Sequence, residues 1–289
     1  MRLSLALAVL VAAPVFAQQQ QVTIVGVVAS VNDEVAKKQA DAFASFVAIA
    51  IKDRAISKVY PDQEALALAL VKNEVDVALL GPLGYLRVDP KAGAQLLFRT
   101  TRAGKSTYRS VLFAPPKSKL GSLEDLRKEK KPLKVAWVEA SSTTGYLLPK
   151  ATLLAAGINP VQSFEVQDFL GSHDAVCKAV IDGKYDLGAT FSDQTPNDTR
   201  ASGCVGSLGK KADTLKIIAT STEVPNDVVV AAAKFPGGKA QAIVGAAKAA
   251  AATPEGKKTL QGCLLADGVA DVKDDDFAPV RKALDTFVP

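Results

Sequence analysis

Short apolar runs alternate along this chain with longer stretches of helical spacing, and that order leaves few ways to fold. Residues 22–28, 75–80 and 133–138 are dense in large apolar side chains and too short for buried helices. Around them lie segments whose apolar residues recur at the helical period, at 33–51, 63–72, 147–156 and 172–182. Strand–helix–strand alternation of this kind builds mainly parallel sheets flanked by helices, an α/β architecture. The pattern occurs twice. Strands at 22–28, 58–60, 75–80, 95–99 and 108–114 make a first unit, and strands at 133–138, 162–166, 185–190 and 217–221 a second. A strand at 228–232 then resumes, with closing helices near 238–251, 254–263 and 277–287.

Two proline-bearing breaks divide these units. Pro115-Pro116 and Pro225-Asn226-Asp227 cannot continue a sheet interior. They predict a first lobe over 22–113, a second over 117–225, and a return to the first over 229–289. Hinge motion is expected near 113–116 and 225–228. A cleft between such lobes, where strand ends and helix starts face each other, is the natural ligand site.

The amino terminus reads as a secretory leader. Arg2 is the positive end, residues 3–11 the apolar stretch, and Val15-Phe16-Ala17 a small-residue cleavage site. Cleavage after Ala17 lowers the net charge from +5 to +4 by removing Arg2, and an exported, soluble chain is expected. Its three cysteines, Cys177, Cys204 and Cys263, permit one disulfide in an oxidising compartment, with the pairing open. One histidine in the whole chain and no Cys-x-x-Cys spacing argue against a metal, and no motif calls for a cofactor. The lysines at 128, 130 and 131 lack interleaved aromatics, so nucleic acid is not an expected partner.

Ser141-Ser142-Thr143-Thr144-Gly145 breaks out of the 133–138 strand and opens a helix. Free backbone N–H groups and several hydroxyls then converge where the helix is partially positive, which suits a tetrahedral oxyanion. The segment through Pro149 resembles the Ser-Thr-Ser-Gly-(Tyr/Phe)-x-x-Pro signature of the phosphate/phosphite/phosphonate-binding proteins of ABC transporters. Other blocks follow in that family's order: Val75-Asp76-Val77-Ala78 with Gly81-Pro82-Leu83, Tyr108-Arg109-Ser110-Val111-Leu112, Gly121 to Leu126, and Gly171-Ser172-His173-Asp174-Ala175. The stretch 182–189, Val224-Pro225-Asn226-Asp227 and 276–281 complete the set.

The resemblance implies a two-lobed periplasmic binding protein of type II, acting as a monomer that binds a phosphorus oxyanion and delivers it to a membrane permease. It also implies a site. Ser142, Thr143 and Thr144 would hold the anion's oxygens, Tyr108 would donate from the first lobe, and His173 would sit beside the anion. Asp193 and Asp227 would face the far end, where an aminoalkyl ligand carries its ammonium group. Thr144 stands where the family commonly has Ser, Gln63 where it has an aromatic residue, and Asp193 where it has Glu. Other readings are a sensor of the same fold, a binder of another oxyanion such as a sulfonate, and an exported Ser/His hydrolase. The hydrolase lacks a Gly-x-Ser-x-Gly elbow.

Overall fold

The computed structural model describes residues 22–29, 33–88, 90–193 and 200–286; the leader expected over 1–17 lies outside them. The first elements are β1 (Thr23–Val28), α1 (Asp33–Ile51), β2 (Ala55–Tyr60), α2 (Gln63–Val71), β3 (Val77–Leu80), α3 (Pro82–Leu86) and β4 (Gln95–Thr101). Next come β5 (Thr107–Ala114), α4 (Leu123–Lys128), β6 (Leu133–Trp137), α5 (Leu148–Ala155), α6 (Pro160–Ser163), β7 (Phe164–Phe169), α7 (His173–Ile181) and β8 (Leu187–Ser192). The chain then forms α8 (Val205–Leu208), β9 (Lys216–Thr220), β10 (Val224–Pro225) and β11 (Val228–Ala231). It ends with α9 (Gly237–Ala251), α10 (Pro254–Leu264), β12 (Gly268–Ala270) and α11 (Ala278–Asp285). Among the described residues no helix is long and apolar enough to cross a membrane.

The strands form two sheets, ordered β12-β4-β11-β3-β1-β2 and β10-β5-β8-β6-β7, with β9 also paired to β5. Both are flanked by helices, as the alternation predicts. Alternate side chains of one strand feed opposite faces. Val25, Val27, Val77 and Leu79 pack with Phe43, Val47 and Ile243, while Ala78, Leu80 and Val230 pack with Leu66 and Leu70 across the sheet. Each such fully buried aliphatic side chain contributes about 1.5–3 kcal/mol by leaving water, so each sheet has a core of its own. The second sheet repeats this around Trp137 and Leu153 on one face and Phe113 and Val176 on the other.

Two expectations need correction. The sheets are mixed, not mainly parallel: parallel pairing is confined to β2-β1-β3 and β7-β6-β8. Those strands are joined through helices, the connection parallel neighbours require. The strands at and after each crossing run antiparallel to them, as β11 does against β3 and β5 against β8. The strand carrying Tyr108 also belongs to the second sheet rather than the first, paired with β8, β9 and β10. The first crossing is therefore the tight turn between β4 and β5, where Ala103 and Gly104 take positive φ of 49° and 73°. Pro115-Pro116 only terminates β5, after the chain has already crossed.

The return crossing lies between β10 and β11, and one side chain ties it to the first. Asn226, fully buried, donates its amide to the carbonyls of Thr100 (3.1 Å) and Lys105 (2.9 Å). Its backbone N–H donates to Ser106 (3.0 Å). A further apolar cluster joins the two halves: Leu83 meets Tyr108, Leu147, Leu148 and Val280 of α11.

Cys177 on α7 and Cys204 form the disulfide, and Cys263 is a buried free thiol on α10. The bond closes a loop with a sequence separation of 27. Replacing both Cys177 and Cys204 by Ser is expected to cost about 2–4 kcal/mol. A urea melt that leaves the midpoint unchanged would contradict this.

Candidate functional site

Three helix starts point into one cavity of about 470 Å³ between the sheets. The first is α2, whose cap Asp62 accepts from the Ala65 N–H (2.7 Å). The second is the Ser142-capped π-helical turn over Thr143–Leu147 that runs into α5. The third is α7, capped by Ser172, which accepts from the Ala175 N–H (3.2 Å). Uncompensated N–H groups and the helix dipoles give this cavity a positive bias. Gln63, Ser142 to Thr144, and His173, all at these starts, line it.

The predicted loop is built tightly. The Val138 N–H donates to the Gly145 carbonyl (3.2 Å), and a Cβ on Gly145 would lie 2.3 Å from Val138. Only glycine allows the turn to come this close to β6. The Ser110 hydroxyl, on β5, donates to the Thr144 carbonyl (2.7 Å) and pins the loop from the other side.

Hydrogen-bond bookkeeping shows what the hydroxyls have left to give. Ser142 Oγ accepts from the Gly145 N–H (3.0 Å), and Thr143 Oγ1 accepts from the Leu83 N–H (2.8 Å), a bond between the two halves. A hydroxyl has one proton and two lone pairs. One lone pair of each is engaged by a backbone N–H, and the proton of each is left for an anion. The buried Tyr108 phenol lies beside Thr144, and burial, with the charge of Asp227, raises its pKa well above normal. Tyr108 thus stays protonated, a donor at any physiological pH.

His173 is buried, with Nδ1 2.8 Å from Thr190 Oγ1 and its ring edge-on to Phe191. Burial, aided by the charge of Arg102, lowers its pKa to about 4. It is a neutral ring with one N–H to donate, and in the tautomer whose Nδ1 accepts from Thr190 that donor is the Nε2–H.

At the opposite end stand Asp193 and Asp227, and between them a residue the sequence reasoning missed. Arg102 leaves the β4–β5 crossing and donates from Nη2 to Asp227 (2.6 Å) and from Nε to the Leu265 carbonyl (3.0 Å). Its Nη1 lies 3.8 Å from Asp193 Oδ1, and its guanidinium sits 5.8 and 5.5 Å from the ring centres of Tyr108 and Phe191. Burial opposes the guanidinium's charge, but the attraction of Asp227 and Asp193 prevails and its pKa rises. Asp193 moves up, chiefly through burial, against the pull of Arg102.

All seven predicted residues, Tyr108, Ser142, Thr143, Thr144, His173, Asp193 and Asp227, line this cavity, but Tyr108 reaches it from the second sheet. Phe191 was also missed. It shares a strand face with Asp193 by the period of two, which is the signal that places it there. Gln63 makes the wall polar. Its Oε1 accepts from the Gly81 N–H (2.9 Å), leaving the NH₂ end over. A Cβ on Gly84 would lie 2.3 Å from that same Oε1, so glycine makes room for it. Glu139 is half-enclosed by the Ser141 hydroxyl and the α2 start, and burial raises its pKa.

Comparison with known proteins agrees with this architecture. The family model for the phosphonate ABC transporter's periplasmic substrate-binding protein matches residues 25–277. The chain is 26% identical over 171 residues to the phosphonates-binding periplasmic protein of Escherichia coli K12, covering 59% of this chain and 48% of that one. It thus spans about half the length of that relative. Among solved structures, a binding component of an ABC phosphonate transporter from Pseudomonas aeruginosa superposes with a TM-score of 0.77 at 22% identity, over 92% of this chain and 86% of that chain. PhnD1 from Prochlorococcus marinus, in complex with methylphosphonate, superposes with a TM-score of 0.76 at 18% identity, over 92% and 99%.

His173 makes a stability prediction. Its pKa falls from 6.5 to about 4 in the folded chain, so its contribution is fully present above pH 6.5 and is lost as pH falls through about 4. The loss amounts to about 3 kcal/mol, reduced in part by Asp193, whose raised pKa works in the opposite sense. Melting curves from pH 7 to 4 are expected to fall less steeply for His173→Gln than for the natural chain. Equal slopes would show that the ring does not carry this term.

Proposed function

Since the chain belongs to the family of periplasmic substrate-binding proteins of phosphonate ABC transporters, we propose that it captures a small phosphorus oxyanion in the cavity between its sheets. Phosphonate, phosphite and phosphate share the head group, and a membrane permease receives it. The observation that carries this reading is the pair of hydroxyls at Ser142 and Thr143, each already accepting one bond from a backbone N–H and keeping its proton for an acceptor. Tyr108 and His173 add neutral donors to them.

In the proposed cycle the second half binds first. Thr143, Thr144, Tyr108 and His173 all project from it, and Ser142 caps its turn. The first half contributes the α2 start, Gln63 and the 81–83 loop on closure, with bending at the paired crossings 102–106 and 226–227. Charge-assisted hydrogen bonds in a dry cleft are about twice as strong as neutral ones, so the closed state holds a dehydrated anion without a metal. A sensor of the same fold would use the same closure; permease and ATPase genes beside this one would favour transport, and an orphan position sensing. For a hydrolase, His173 Nδ1 would need a carboxylate to orient it, and it meets Thr190 instead.

Calorimetry on ligand-free, refolded protein is the direct test. Methylphosphonate, phosphite or phosphate should bind; failure of all three at millimolar concentration would overturn the reading, and tighter binding of methanesulfonate would redirect it to sulfonates. Ser142→Ala combined with Thr144→Ala is expected to weaken the bound oxyanion by at least about a hundredfold, because each hydrogen bond to a charged group contributes about 1.5–3 kcal/mol. A melt of the double variant accounts for the lost helix cap.

A further inference from the structure

Two carboxylates facing a cleft form an attractive place for a ligand's cation, yet here a cation is already installed. Arg102 lies between Asp227 (2.6 Å) and Asp193 (3.8 Å). It is held from several sides. The Leu265 carbonyl accepts from its Nε, Tyr108 and Phe191 flank the guanidinium, and its backbone is locked by paired hydrogen bonds with Lys105. Leu265 itself adopts the left-handed conformation, φ 51° and ψ 40°, at the end of α10. Two more cations act on Asp193: Lys105, whose Nζ donates to the Asp193 carbonyl (3.2 Å), and Arg200. Arg102 thus serves both carboxylates, while Lys105 and Arg200, the latter also paired with Asp213, add positive charge near Asp193. One acceptor stays open, since Asp193 Oδ1 is buried without a hydrogen-bond donor among the described residues.

We propose that Arg102 determines specificity at this end, occupying the place between Asp193 and Asp227 that a ligand's ammonium group would otherwise take. The cavity then selects phosphorus oxyanions with an uncharged substituent and rejects aminoalkyl ones. This rests on the phosphorus-oxyanion reading above and names its substrate class. A second cation brought to the same carboxylates meets an ordered guanidinium that cannot lose its proton. A hydroxyl at the same position meets the open Asp193 Oδ1 and donates to it at no cost in charge.

A matched ligand pair separates charge from size. 2-Hydroxyethylphosphonate and 2-aminoethylphosphonate differ at one terminal group, and methylphosphonate lacks it. In calorimetry the natural protein is expected to bind the hydroxyethyl compound at least about tenfold more tightly than the aminoethyl one, an energy difference of about 1.4 kcal/mol. Arg102→Gln should erase or invert that ratio by raising affinity for the aminoethyl compound. Arg102→Lys, which keeps the charge, should preserve it, and melting curves establish that both variants fold. Equal or tighter binding of 2-aminoethylphosphonate by the natural protein overturns the inference whatever the variants do. If the hydroxyethyl compound or methylphosphonate binds in that case, the phosphorus reading stands and only the role of Arg102 fails. If none of the three binds, the inference fails, and the phosphorus reading fails with it when phosphite and phosphate do not bind either.

Discussion

The two halves of this molecule are held in register by one buried amide. Asn226 sits on the return crossing and donates to carbonyls on either side of the first crossing, so two separate chain passages become a single double-stranded strap. Every group in the cavity depends on that strap, because the site has no meaning within either sheet alone. Arg102 and Asp227 leave from the strap itself, and the Thr143–Leu83 hydrogen bond and the cluster around Leu83 span the halves beside it. A lost amide would remove both bonds that tie the return crossing to the Thr100 and Lys105 carbonyls.

The cavity manages charge with dipoles and a few fixed ions. Around the head-group end, helix starts and protonated hydroxyls supply a diffuse positive environment whose members are formally neutral. His173 is part of this, and the Arg102 charge helps keep it unprotonated. At the other end the ions are explicit and mutually compensated. A buried ion pair adds little net stability by itself, because desolvation offsets attraction. Its use here is positional: it fixes which chemical groups can enter.

Much of the fold could be read from the residues, and the failures have physical causes. The strands at 23–28, 77–80 and 133–137 carry β-branched and apolar side chains on both faces, and Ser122, Ser142 and Ser172 cap where capping residues are expected. The sheet to which β5 belongs was not legible, because a strand buried on both faces can pair in either. The visible marker, Pro115-Pro116, ends a strand but does not mark the crossing. That falls at a modest turn through Ala103 and Gly104. Within the site, the loop at 142–144 was legible because its chemistry is local. Arg102 was not, since a lone arginine in a turn reads as solvated and its partner Asp227 is 125 residues away.

Gln63 and Gly84 carry a consequence for how such a cavity can diverge. The amide of Gln63 bonds Gly81 and fills the space that any side chain at position 84 would need. A Cβ at position 84 would displace the mobile end of Gln63, turning its amide away and freeing the Gly81 N–H toward the cleft. A change at either position therefore alters the polarity of this wall as well as its size.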